Sequence, residues 1–365
     1  MNQAHGWRRD LFLGLLVSLI SGFLLALGAK ILTITAPALT ARGVPVWLSI
    51  AVVAVTAFIA FALAHHLNRR TPQVFMVISA FVQTNWLAGL LDNVVWSLDR
   101  HNIDLVVKLP PHDYSGQSQI LQLSRLCRKR RSYIGGLIIA AQPELVKDEL
   151  TSFCKSCHLP TVFVDVRPFS SGDAYPPGTA FVSCNSEEIG ERAAQWVAKE
   201  MLERGNKEPA ILVVGGDAQE GRHVRFEARI RETLPSSTLS INLLGQFSRE
   251  RARDIVDQHI RQLHRRGDHL DVIYCTNDQM ALGAVDAAQG QAVAGNRQDG
   301  LVIVGVDGTD EAVAAIKSGA TPFKATIVQD TRRVAETAVD VLLRLRAGQN
   351  APTETRIPTT IYPMQ

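Results

Sequence analysis

The chain has 365 residues, 46% of them hydrophobic and 20% charged, and its formal net charge is +3. This length allows more than one hydrophobic core, and the composition is that of a globular protein rather than a disordered one. The small net charge argues against nucleic acid as a partner, and five cysteines, an odd number, argue against a complete disulfide framework.

Two uncharged stretches near the amino terminus indicate a membrane anchor. Leu11 to Ala29 is rich in leucine and has about the length of one bilayer crossing as a helix, and Gly43 to Ala64 is a second such stretch. We therefore predict that residues 1–70 form a transmembrane hairpin, with helices at about 11–30 and 44–64.

A signal peptide is the alternative for the first stretch. Arg8 and Arg9, followed by Leu-Phe-Leu after Asp10, loosely resemble a twin-arginine signal. However, the apolar run is longer than a usual signal core, and no clean cleavage site follows it. We favour the anchor.

From Thr71 to the end of the chain, apolar strand patterns alternate with amphipathic helix patterns. One helix is predicted over Asn85 to Asp99 and another over Glu187 to Arg204. Strands are predicted at 74–80, 103–108, 136–140, 161–166, 210–214, 239–243, 272–274, 302–306 and 325–328. Repeated strand–helix–strand units form parallel sheets covered on both faces, so residues 71–365 are predicted to be an α/β domain with two such sheets.

Three consecutive strands in the last third of the chain each end in a polar residue. Asn277 follows the strand at 272–274, Asp307 follows the strand at 302–306, and Gln329 follows the strand at 325–328. In open parallel sheets ligands bind at this carboxyl edge. Asp278 is expected to cap the following helix, whereas Asn277 and Gln329 are not needed by their local structure.

The segments Asn277–Ala284, Val304–Gly308 and Ala325–Gln329, in this order and spacing, give the chain a family resemblance. From Gln73 to Gln365 it resembles the type I periplasmic binding proteins, and within them the ribose-binding-like sugar receptors, whose fold is shared by the ligand domains of lac-type repressors. The resemblance implies two Rossmann-like lobes, joined by a three-strand hinge, that close over a ligand.

The resemblance also implies which residues contact that ligand. In sugar receptors an aromatic residue after the first strand packs on the sugar ring, which points to Trp86 in the turn Thr84-Asn-Trp-Leu87. The fourth strand usually ends in Asp-Arg; here it ends Asp165-Val166-Arg167, one residue out of step. The family arginine falls best on Arg225, with Arg222 as competitor. The implied ligand-binding set is Trp86, Asp165, Arg167, Arg225, Asn277, Asp307 and Gln329.

These residue types suit a sugar without reference to a family. Asp accepts hydrogen bonds from hydroxyls, Arg donates from a planar fork, and Asn and Gln do both. An indole covers the apolar face of a sugar ring. Trp86 and Asp307 also have simpler interpretations, namely core packing for Trp86 and support of the turn at Gly308 for Asp307.

The sequence Cys154-Lys-Ser-Cys157-His158 matches the c-type haem attachment pattern. It lies at the end of a predicted helix, just before the strand at 161–166. A redox pair or disulfide is a second interpretation. The third, which we favour, is that both cysteines pack as small apolar residues between this helix and the sheet.

Together these features predict a membrane-anchored sugar-binding protein that serves a transporter permease or a sensor kinase. No Ser/His/Asp or paired-carboxylate constellation stands out, so we expect no catalysis and no cofactor. The alternatives are an enzyme on the same scaffold and a membrane-tethered regulatory module that faces the cytoplasm. The positive charges beside the anchor favour the cytoplasm, whereas the resemblance favours the periplasm. We expect the ligand domain in the periplasm.

Overall fold

The computed structural model describes residues 51, 54–56, 58–59, 61–62, 71–80, 85–169, 174–217, 221–296 and 298–364. The chain divides into two compact units, Met1–Thr71 and Pro72–Gln365. Most of the predicted membrane hairpin lies outside the described residues, and the described ones between 51 and 62 are helical and exposed. Within the described ranges, no helix has both the length and the apolar character needed to cross a membrane. The hairpin stays a prediction.

The second unit alternates strands and helices, as predicted. Its helices are α1 (Asn85–Asp99), α2 (Gly116–Arg128), α3 (Lys147–Cys157), α4 (Ser186–Glu203), α5 (Gly221–Thr233), α6 (Arg249–Arg266), α7 (Asp278–Val293), α8 (Asp310–Ser318) and α9 (Thr331–Arg346). Its strands are β1 (Gln73–Val77), β2 (Asp104–Lys108), β3 (Gly135–Ile138), β4 (Thr161–Val164), β5 (Thr179–Cys184), β6 (Ala210–Val214), β7 (Thr238–Asn242), β8 (Val272–Cys275), β9 (Val302–Asp307), β10 (Phe323–Val328), β11 (Glu354–Ile357) and β12 (Thr360–Tyr362).

These strands form two six-stranded sheets, one in each lobe. The order is β11-β5-β4-β3-β1-β2 in the amino-terminal lobe and β12-β10-β9-β8-β6-β7 in the carboxyl-terminal lobe. β12 pairs antiparallel with β10, and the other pairs are parallel. The chain passes between the sheets through α4, through α9 and through the short link from β11 to β12. The predicted two lobes and three crossovers are therefore confirmed.

Apolar side chains fill both faces of each sheet. In the amino-terminal lobe, α1 and α9 contact each other on one face, and α9 contacts β3, β4 and β5. On the other face, Leu123 of α2 and Phe153 of α3 pack with Phe75 and Phe163. In the carboxyl-terminal lobe, the ring of Phe226 on α5 stacks on Tyr274 of β8, with ring centroids 4.1 Å apart. Parallel strands that are buried on both faces appear in the sequence as continuous apolar runs. For this reason most of these strands could be predicted from the sequence.

In each of two helix pairs of the carboxyl-terminal lobe, the two helices come close together at a glycine. Gly190 of α4 lies against the carbonyl oxygen of Arg222 in the first turn of α5, and Gly283 of α7 lies against the carbonyl oxygen of Arg249 in the first turn of α6. A methyl group at either position would overlap that oxygen. The absence of a side chain is therefore what allows each helix pair to pack this closely.

Candidate functional site

The carboxyl ends of strands from both sheets line one cleft with a volume of about 530 Å³. The amino-terminal lobe contributes the start of α1 and the loops after β3 and β4. The carboxyl-terminal lobe contributes the last residue of β9 and residues just after β8 and β10. Of the residues predicted to bind ligand, six line this cleft: Trp86, Asp165, Arg167, Asn277, Asp307 and Gln329. The structure therefore brings together residues that are far apart in the sequence.

Asn277 caps α7, a role that the sequence assigned to Asp278. Its Oδ1 accepts from the Met280 backbone N–H at 2.9 Å, and its Nδ2 donates to the Phe247 carbonyl at a long 3.4 Å. The expectation that the local structure has no need of Asn277 was therefore wrong. Its Nδ2 remains the part of the side chain best able to donate to a ligand.

Asp278 lies beneath the site and is fully buried. It accepts hydrogen bonds from the Thr309 N–H at 2.7 Å, the Thr309 Oγ1 at 3.0 Å and the Thr326 Oγ1 at 2.7 Å. Burial raises the pKa of Asp278 to about 7, an increase that these hydrogen bonds moderate. This carboxyl group connects the ends of β8, β9 and β10, so it positions the residues that line the cleft.

Asp307 and Gln329 form a buried pair at the ends of the adjacent strands β9 and β10. Gln329 Nε2 donates to Asp307 Oδ1 at 2.8 Å. The backbone of Asp307 has a φ of 122°, uncommon for a residue other than glycine, and Gly308 continues the turn with a φ of 73°. Burial, and secondarily the Asp278 carboxylate, raise the pKa of Asp307 well above its usual value, whereas Arg222 opposes the increase.

The arginine of the carboxyl-terminal lobe that lines the cleft is Arg222, not Arg225. Arg222 is buried in the first turn of α5, and its Nη1 donates to the Thr276 carbonyl at 2.7 Å. Arg225, one turn later, is 43% exposed and pairs with Glu191 of α4 at 2.7 Å. The cleft edge meets only the first residues of α5, which explains why the prediction of Arg225 as a cleft residue does not hold.

Asp165 occupies the loop after β4 and has no hydrogen-bond donor to its carboxylate among the described residues. Its backbone is left-handed, with a φ of 66°, a conformation that short polar side chains tolerate better than most. Burial raises the pKa of Asp165, and the positive charge of Arg222 acts in the opposite direction. Arg222 belongs to the other lobe, so this interaction connects the two sides of the cleft.

Arg167 lines the cleft but is already engaged with Glu354 of β11. The two side chains form a bidentate pair with N–O distances of 2.8 and 3.0 Å. Glu354 also accepts from the Tyr175 hydroxyl at 3.1 Å and from Arg356 Nη2 at 3.3 Å. The guanidinium groups of Arg167 and Arg356 lie 5.7 and 5.2 Å from the Phe181 ring centroid. No sequence signal pointed to Glu354, Arg356 or Phe181.

The aromatic side chains of the cleft include the predicted Trp86. It is partly buried beside Leu87, and its Nε1 is buried without a hydrogen-bond partner among the described residues. Phe169 and Phe247 also line the cleft, and sequence reasoning missed both. The indole face suits an apolar ring face of a ligand and the N–H suits an acceptor, so stacking by Trp86 remains a prediction.

The Cys-x-x-Cys-His pattern lies at the other side of the amino-terminal lobe. Cys154 and Cys157 are buried on the face of α3 that packs on the sheet, and both thiols are free. Burial raises the pKa of each to about 12. Among the described residues, no group of three or more metal-binding side chains occurs. This environment fits the packing interpretation.

Comparisons with known proteins agree with this architecture. A family model described as "Periplasmic binding protein domain" matches residues 74–350. A relative from Rhizobium meliloti, provisionally named a rhizopine-binding protein, is 25% identical over 205 residues, which are 55% of this chain and 62% of that protein. The chain therefore spans about three fifths of that relative.

Among solved structures, the fold is similar to a Caulobacter myo-inositol binding protein bound to myo-inositol. The TM-score is 0.68 and the identity 17%, over 80% of this chain and 94% of that one. It is also similar to an ABC transporter periplasmic solute binding protein from Actinobacillus succinogenes with bound D-allose. There the TM-score is 0.67 and the identity 15%, over 80% of this chain and 96% of that one. At these identities the likeness shows the fold.

Proposed function

Because this chain belongs to the periplasmic binding protein domain family, we propose that residues 71–365 bind a sugar or a similar polyhydroxylated molecule and do not catalyse a reaction. One observation carries the proposal: side chains from both lobes present carboxylates, amides, a guanidinium and an indole to a single cleft. These are the groups that hydrogen-bond hydroxyls and cover a sugar ring. Solved proteins of this fold hold D-allose and myo-inositol.

The proposed contacts come from both sides of the cleft. Among the described residues, Asp165 has no hydrogen-bond donor to its carboxylate, and Asp307 has one, the side chain of Gln329. Each carboxylate therefore keeps acceptor capacity for ligand hydroxyls. Arg222 and the Asn277 amide would supply donors, and Trp86 would cover one ring face. A ligand without the matching hydroxyls would leave these buried groups unpaired, which disfavours its binding.

Calorimetry against a panel of pentoses, hexoses and cyclitols tests this proposal. At least one member should bind the purified full-length chain, and Asp307→Asn should weaken its binding by about 1–3 kcal/mol, because a charge-assisted hydrogen bond is lost. Asp310→Asn is the matched control, since Asp310 is exposed on α8 in the same lobe. If no member of the panel binds, the sugar-binding proposal fails.

Ligand binding by both lobes should also favour a closed arrangement. Only the closed form makes the contacts from Asp165 on one side and from Asn277 and Asp307 on the other, so a bound ligand shifts the equilibrium toward it. X-ray scattering should show a smaller radius of gyration at saturating ligand. An unchanged radius would contradict closure around the three crossovers.

We further propose that the chain is anchored in the inner membrane, faces the periplasm and serves an ABC-type permease or a sensor kinase. The uncharged stretches at 11–30 and 44–64 support the anchor, and membership of the family supports the periplasm. Alkaline phosphatase fused after Gln365 should be active, because that enzyme functions only outside the cytoplasm. An inactive phosphatase beside a fluorescent reporter at the same point would instead favour the cytoplasmic regulatory module.

A further inference from the structure

The amino edge of the sheet in the amino-terminal lobe is strongly basic. The helices α1, α2, α3 and α9 each end at this edge and lead into a parallel strand. Four segments run from the last turn of one of these helices to the residue before that strand: 96–103, 125–134, 154–160 and 343–353. They contain nine lysines and arginines and a single acid, Asp99. This edge therefore carries a large excess of positive charge.

The amino edge of the other sheet has no such excess. Five segments there join a helix to the next strand in the same way: 200–209, 230–237, 263–271, 290–301 and 315–322. They contain seven lysines and arginines and seven acids. Because the carboxyl ends of both sheets line the cleft, the two amino edges are the two far ends of the domain. The positive charge is thus concentrated at one of these ends.

Most of the excess lies at the end of α2. Arg125 and Arg128 belong to its last turn, Lys129 follows it, and Arg130 and Arg131 begin the next short turn. All five residues, here called the α2 basic cluster, are exposed. None of them forms an ion pair with an acid in the part of the chain that the structure describes.

Helix stability explains only part of this cluster. Cations in the last turn of a helix interact favourably with its carbonyl groups, which accounts for the two arginines of that turn. Arg130 lies beyond the helix, and its Nη1 donates to the Ser156 carbonyl at 3.2 Å. The side chains of Lys129 and Arg131 make no hydrogen bond to a described residue. Like charges this close together repel one another, so an anionic partner would stabilise this surface.

The chain enters the domain at the same edge. Ile134, three residues after Arg131, donates its backbone N–H to the Gln73 carbonyl at 2.8 Å, so the cluster is close to the first residue of β1. The predicted second membrane span ends at about residue 64, nine residues before Gln73. An extended chain of that length reaches at most about 32 Å. A bilayer crossed by that span would therefore lie within this distance of Gln73.

We propose that the α2 basic cluster binds the anionic headgroups of the membrane in which the chain is anchored. Such headgroups attract lysine and arginine side chains that come within a Debye length of the surface, about 8–10 Å. The guanidinium fork of arginine also matches the oxygen atoms of a phosphate. This proposal rests on the proposed anchor and gives the ligand domain a preferred orientation at the bilayer.

Photocrosslinking of the full-length chain in lipid nanodiscs tests this interaction. The discs contain phosphatidylcholine and phosphatidylglycerol, and the headgroup of either lipid carries a carbene-forming label, which reacts with any side chain. Labelling of segment 125–134 should be at least about fivefold greater from phosphatidylglycerol, the factor for one lysine or arginine at an anionic surface. Raising the salt concentration from about 0.1 to 1 M shortens the Debye length from about 10 to 3 Å and should remove the difference. Segment 263–271, at the other far end, should show no preference.

Charge variants assign the preference to the cluster. Lys129→Gln combined with Arg131→Gln removes two cations outside α2 and should reduce the preference by about fivefold or more. Stability and ligand binding should not change, because both residues are exposed and the cleft lies at the opposite edge of the sheet. Arg265→Gln combined with Arg266→Gln removes two exposed cations at the end of α6. This matched control should keep the preference.

The outcomes separate this inference from the anchor on which it rests. Labelling of residues 11–64 together with equal labelling of 125–134 from both lipids would overturn the inference and leave the anchor intact. An acidic protein or a nucleic acid would then remain as a partner for the cluster. A preference that persists in the Lys129 and Arg131 variant would also overturn it. A chain that does not enter the discs would refute the anchor, and the inference with it.

Discussion

Alanine at Gly190 should weaken ligand binding, whereas alanine at Gly283 should not. The added methyl would overlap the Arg222 carbonyl oxygen in one case and the Arg249 carbonyl oxygen in the other. Both substitutions therefore force apart a helix pair of the same lobe, and both should destabilise the fold by about 1–3 kcal/mol through overpacking. Only the first places that methyl against a residue that itself lines the cleft, because Arg222 lines it and Arg249 does not.

The expected loss of affinity follows from what Arg222 does there. Its guanidinium donates to the Thr276 carbonyl at 2.7 Å. Its positive charge also lowers the pKa of the Asp165 and Asp307 carboxyl groups, against the effect of burial. If the shift of α5 removes one charge-assisted contact to the ligand, binding should weaken by about 1.5–3 kcal/mol, or roughly 10- to 150-fold.

Urea unfolding measures the stability of both variants, and calorimetry with the tightest ligand of the panel measures their affinity. We expect similar losses of stability and an affinity loss only in Gly190→Ala, with Gly283→Ala within about twofold of the natural protein. If both variants bind as tightly as the natural protein, the position of Arg222 does not matter for binding. An equal loss in both would show that destabilisation of the lobe, rather than Arg222, controls affinity.

Three further predictions concern buried polar groups. Burial raises the pKa of Asp278 from 3.8 to about 7, so between these values the folded state keeps a proton that the unfolded state releases. The free energy of unfolding should therefore fall as the pH rises from about 4 to 7, by up to ~1.4 kcal/mol per pH unit. In urea titrations, Asp278→Asn should flatten this slope. Asn277→Ala should lower stability by about 1 kcal/mol through loss of the α7 cap and also weaken binding, whereas Asn277→Ser should restore stability but not affinity. Cys154 and Cys157 should resist iodoacetamide at about pH 8 until urea unfolds the chain, because their thiols stay protonated and buried; rapid alkylation of the folded protein, seen by mass spectrometry, would contradict this.

Local patterns predicted much of the carboxyl-terminal lobe. The strand predicted at 210–214 is observed as Ala210–Val214. The strands predicted at 302–306 and 325–328 are observed as Val302–Asp307 and Phe323–Val328. These strands are buried on both faces, so their apolar runs are continuous, and the polar residue that ends each run marks the cleft edge.

The features that the sequence did not predict depend on contacts between distant residues, which no local pattern encodes. β11 reads Glu-Thr-Arg-Ile, with no continuous apolar run, because it is an edge strand that pairs with β5 on one side only. Its Glu354 engages Arg167, 187 residues away in the chain. The choice between Arg222 and Arg225 depended on where the cleft edge meets α5, and the choice between Asn277 and Asp278 on a one-residue shift in the start of α7.

The way in which the chain returns to its first lobe restricts the order of folding during synthesis. α9 packs against the amino-terminal sheet, and β11 forms its outer edge beside β5. Both segments leave the ribosome after every strand of the carboxyl-terminal lobe except β12, so the lobe that is synthesised first is completed only near the end of synthesis. Until then the open edge of β5 and the sheet face that α9 covers stay available for wrong pairing or for a chaperone. Loss of the last dozen residues removes β11 and β12 and should therefore damage both lobes, including the one that is synthesised first.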